Sequence, residues 1–65
     1  MTFDFEAHEA ASLLAAAYLR LGIDKRVLVE GNEILIRDAV GWVKAPVRLV
    51  HLSARTFWQE ILDQP

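Results

Sequence analysis

The residues that could do chemistry are few, and they fall into two short clusters. His8, Glu9 and Ser12 lie close together near the start of the chain, and His51, Ser53 and Glu60 near its end. A zinc site needs three or four convergent ligands. His8 has Ser12 as its neighbour one helical turn on, and a serine hydroxyl is a poor zinc ligand. The second cluster contains the residue types of a serine hydrolase triad. However, Ser53 reads more simply as a helix N-cap, and no nucleophile elbow surrounds it. Gly22, Gly31 and Gly41 are scattered and each fits a turn, so they make no phosphate-cradling loop. The expectation is therefore no catalytic residue, no metal site and no cofactor: a protein that is not an enzyme.

The composition points elsewhere. The chain has 65 residues, is 54% hydrophobic and has no cysteine. A fold of this size buries only about 60% of the surface its unfolded chain exposes. Domains this small often add disulfides, a metal or a partner. With the first two unsupported, a partner chain is the remaining source of cover. The formal charge is -2, which disfavours nonspecific binding to nucleic acid or to anionic membrane. The longest apolar run, Leu13 to Leu19, is far shorter than the ~18 residues of a spanning helix. The opening Met1-Thr2-Phe3-Asp4-Phe5-Glu6 is acidic and unlike a targeting segment. These features predict one small cytoplasmic domain covering residues 1–65.

The expected fold is α+β: an N-terminal helix, an antiparallel sheet of three to four strands beginning with a tight hairpin, and a short C-terminal helix. The first helix spans Phe5 to Leu21. Asp4 caps its start, and Gly22 stops it with Ile23 folding back on Tyr18. Its core stripe is Ala7, Ala10, Ala11, Leu14, Tyr18 and Leu21, but Leu13 and Leu19 lie off that stripe. Ala7, Ala11 and Ala15 recur every four residues and permit close approach of another backbone.

Arg26-Val27-Leu28-Val29-Glu30 and Glu33-Ile34-Leu35-Ile36-Arg37 flank Gly31-Asn32, a tight-turn pair. Facing residue numbers should sum to 63. Val27, Val29, Ile34 and Ile36 then form a β-branched inner face. The outer face pairs Arg26 with Arg37, Leu28 with Leu35 and Glu30 with Glu33. Gly41-Trp42-Val43-Lys44 reads as a third strand and Val47-Arg48-Leu49-Val50-His51-Leu52 as a fourth, separated by Pro46. Ser53 then caps a short helix from Ala54 to Leu62, with Phe57 and Trp58 as its anchors.

The function expected from these elements is noncatalytic protein–protein association, beginning with a homodimer. The outer hairpin face is self-complementary under a two-fold axis, which sets Glu30 and Glu33 against Arg26 and Arg37. Interface candidates are Leu13, Leu19, Leu28, Leu35, Glu30, Glu33, Arg26, Arg37, Trp42 and Trp58. Two further readings stand beside it. One is a phage or mobile-element inhibitor, or an antitoxin-like protein, that masks a larger partner. The other is a single-stranded nucleic-acid binder, with Arg26, Arg37, Lys44, Arg48 and Trp42 on a basic sheet face.

Overall fold

The computed structural model describes residues 4–64. Met1, Thr2 and Phe3 of the acidic opening segment, and the closing Pro65, lie outside the described residues. The element order is helix α1 (Phe5–Leu21), strands β1 (Arg26–Glu30), β2 (Glu33–Asp38) and β3 (Gly41–Ala45), and helix α2 (Val47–Asp63). The strands form one antiparallel meander in the order β1-β2-β3.

Both ends of α1 are closed by local chemistry. The Asp4 carboxylate accepts a hydrogen bond from the Ala7 amide at 3.0 Å. That satisfies one of the donors a helix start leaves open. At the other end Gly22 is left-handed, with φ 72°. Its N–H donates to the Leu19 carbonyl and the Ile23 N–H to the Tyr18 carbonyl, the paired bonds of a Schellman stop.

The β1–β2 register is the expected one, from Arg26 opposite Arg37 to Glu30 opposite Glu33. Of the two loop residues only Gly31 has positive φ, the signature of a type II′ turn. A second two-residue loop joins β2 to β3, with Asp38 opposite Gly41. There the Asp38 carboxylate accepts from the Val40 amide at 2.9 Å.

The last third of the chain differs from expectation. Val47 to Leu52 form no fourth strand, and Ser53 caps nothing. Both belong to one 17-residue helix that starts directly after Pro46. The physical reason is a longer apolar period. Val47, Val50, Ala54, Phe57, Trp58 and Ile61 recur at spacings of three and four. Together they make a single stripe that no six-residue window contains. Val50 and Ala54 are fully covered, and Val47, Phe57 and Trp58 pack around them.

α1 packs mainly on α2 and on β1, while α2 also reaches β2. The core is Ala7, Ala10, Ala11, Leu14, Tyr18, Ile34, Val50 and Ala54. Alanines on both helices let their backbones come close. The close helix–helix approach that the Ala7/Ala11 spacing invites is thus made inside the chain. Ala15 remains exposed. Tyr18 and Phe57 meet edge to face with centroids 5.2 Å apart, a preferred geometry for aromatic pairs.

Candidate interaction surfaces

Strand register places the candidate residues on the sheet. Residues opposite one another share a face. The inner face carries Val27, Val29, Ile34, Ile36, Val43 and Ala45. The outer face carries three rows: Arg26–Arg37–Trp42, Leu28–Leu35–Lys44 and Glu30–Glu33. β3 thus adds an aromatic to the basic row and a cation to the leucine row. The Lys44 ammonium reaches back to the Glu33 carboxylate at 3.6 Å, and the Arg37 guanidinium lies 5.8 Å from the Trp42 ring centroid. Arg26 and Glu30 are exposed and make no ion pair among the described residues.

This arrangement weakens the nucleic-acid reading. Arg48 is on α2 and not on the sheet. The remaining cations share the face with two glutamates, one of which engages Lys44. The outer face is also small. Three strands of five residues span about 14 by 17 Å, or about 240 Å². A stable interface covers about 800 Å² on each partner.

The second surface lies between the helices. Leu13 sits on the flank of α1 that borders α2, and the Leu13 carbonyl accepts from the Trp58 indole N–H at 3.1 Å. The Arg20 guanidinium covers the same indole at 6.0 Å. Trp58 is therefore a latch between the helices more than a free anchor. Beside it runs an open groove of about 840 Å³, lined by Leu13, Leu52 and Trp58 and edged by Arg48, His51 and Arg55, with Glu6 opposite. Leu52, His51 and Arg48 reach this groove because they are helical; sequence reasoning put them on a strand.

Leu19 stands apart from both surfaces. It is 82% exposed, on the flank of α1 facing away from α2. Tyr18, its neighbour, is buried, and that burial pushes the phenol above its ordinary pKa. Among the described residues no group of three or more His, Asp or Glu side chains converges as a metal site would require. No described helix is long and apolar enough to cross a membrane. Comparison with protein-family models, curated proteins and solved structures finds no match to this chain.

Proposed function

We propose that the chain is a noncatalytic association module and that a second copy of itself is its first partner. One observation carries this reading: Leu14 is the only buried leucine among the described residues. Leu19, Leu28, Leu49, Leu52 and Leu62 are each more than half exposed. Singly exposed leucines are ordinary. Here, however, they outnumber the buried one in a fold with little core to spare. The part of that area a second copy covers stabilises the pair by roughly 25 cal/mol per Å² of apolar surface.

Sedimentation velocity over a dilution series tests the reading. A species of twice the 7.4 kDa chain mass should dissociate on dilution. A monomer that persists at high micromolar concentration would sink it.

A further inference from the structure

β1 is an edge strand, and its five residues are their own antiparallel complement. Resting on the self-association reading above, we infer that two copies join edge to edge through β1. The six strands of the two copies then form one continuous sheet about a two-fold axis at Leu28.

Backbone polarity supplies the first argument. In a two-residue hairpin the residues flanking the loop are hydrogen-bonded to each other. Glu30 and Glu33 hold those positions. Hydrogen-bonded and open pairs then alternate. Arg26, Leu28 and Glu30 therefore direct their backbone groups towards β2. Val27 and Val29 direct theirs to the free edge. A two-fold at Leu28 sets Val27 opposite the partner's Val29, and Val29 opposite the partner's Val27. All four residues present outward N–H and C=O groups, so the seam closes with two reciprocal hydrogen-bonded pairs.

Side chains give the second argument. Opposed residues must share a face, so facing numbers must sum to an even value. Only a sum of 56 pairs all five residues. In that register Arg26 faces the partner's Glu30, and Glu30 faces the partner's Arg26. With Lys44 paired to Glu33 and Arg37 lying over the Trp42 ring, these are the two outer-face charges with neither an ion pair nor a ring contact among the described residues. Leu28, 52% exposed, meets its own copy between them. Registers of 54 or 58 set a charge against Leu28.

The helices fit the same axis. α1 covers β1 and α2 reaches β2, so the flank of α1 away from α2 lies on the seam side. That flank carries Ala15 and Leu19. Two copies of α1 then run side by side, where Ala15 permits close approach and Leu19 gains cover.

The other edge, β3, is guarded. It carries Lys44, already engaged by Glu33, and stops at Pro46; lysine and proline are common edge protections.

The test uses the whole chain. Arg26→Glu and Glu30→Arg each place like charges opposite at both ends of the seam, and each should weaken dimerisation roughly tenfold. The double variant Arg26→Glu/Glu30→Arg should restore it. Val29→Pro removes an outward N–H without touching the ladder to β2, and should abolish the dimer. Leu35→Glu, on the central strand, should leave the dimer in place, whereas stacking of outer faces would be lost.

Amide hydrogen exchange on the parent chain decides the matter even if a variant misfolds. Val27 and Val29 amides should slow with rising concentration, in step with the dimer. A dimer whose Val27 and Val29 amides exchange freely overturns edge pairing and leaves self-association standing. A monomer at all concentrations overturns both.

Discussion

The two helices of this protein are of equal length and are held by different means. α1 is closed by its own ends: the Asp4 carboxylate at the start, and left-handed Gly22 at the stop. α2 follows Pro46 with no side-chain cap, and its first turn carries no acidic residue. What fixes α2 is the apolar stripe it lays against α1, with Val50 and Ala54 at its centre and the Trp58 latch beyond. Local chemistry can thus define one helix while tertiary packing defines its neighbour, within a single small core.

Four substitutions sharpen or break that contrast. The largest effect belongs to the shared core. Leu14→Ala removes the one buried leucine and should cost about 2–5 kcal/mol. Cores of this size rarely supply more than about 3–5 kcal/mol, so urea titration should find the variant near its unfolding midpoint in buffer. Retention of most of the parent stability would mean that the helix seam does not carry the fold.

Next comes the stop of α1. A methyl group on Gly22 meets nothing within 4 Å, so Gly22→Ala tests backbone conformation alone. It should cost about 1–2 kcal/mol, visible as a lower thermal midpoint by circular dichroism. An unchanged midpoint would mean the left-handed stop contributes nothing.

Smaller again is the start of α1, where Asp4→Ala should lose about 1 kcal/mol in a guanidinium titration. No loss would place the hold on α1 entirely in packing, as for α2.

The smallest effect is the most discriminating in sign. Ser53 is exposed in the interior of α2, where alanine is the better helix former. Ser53→Ala should raise stability by about 0.5 kcal/mol. A helix beginning at Ala54 would instead lose its cap and about 1 kcal/mol. A drop in stability would therefore contradict the long helix.

The same contrast explains which parts were legible in the sequence. α1 and the first hairpin are specified within a few residues of each boundary. Asp4, Gly22 and Gly31 are local signals, and the facing of Val29 with Ile34 follows from a two-residue loop. α2 has no such start signal. Val47, Leu49 and His51 alternate with Arg48, Val50 and Leu52 in a pattern that suits a strand as well as a helix turn. Ser53 adds a plausible cap in the wrong place. Only the recurrence across the full length, ending at Ile61, separates the readings, and it matters because α1 offers alanines to pack against. The β1–β2 pairs of the outer face were legible because register follows from turn length; the places of Trp42 and Lys44 in those rows come from the β2–β3 register. The groove beside Trp58 was not legible, because Arg48, His51 and Leu52, which complete its lining, come from the misread segment.

The Trp58–Leu13 hydrogen bond joins residues 45 positions apart, whereas each hairpin closes over two. Contacts so unequal in sequence separation form on different clocks, since a long loop costs more entropy to close. Trp42 lies within a hairpin and Trp58 at the helix seam. In refolding experiments on single-tryptophan variants, the first indole reports local strand pairing and the second the final closure of the chain upon itself.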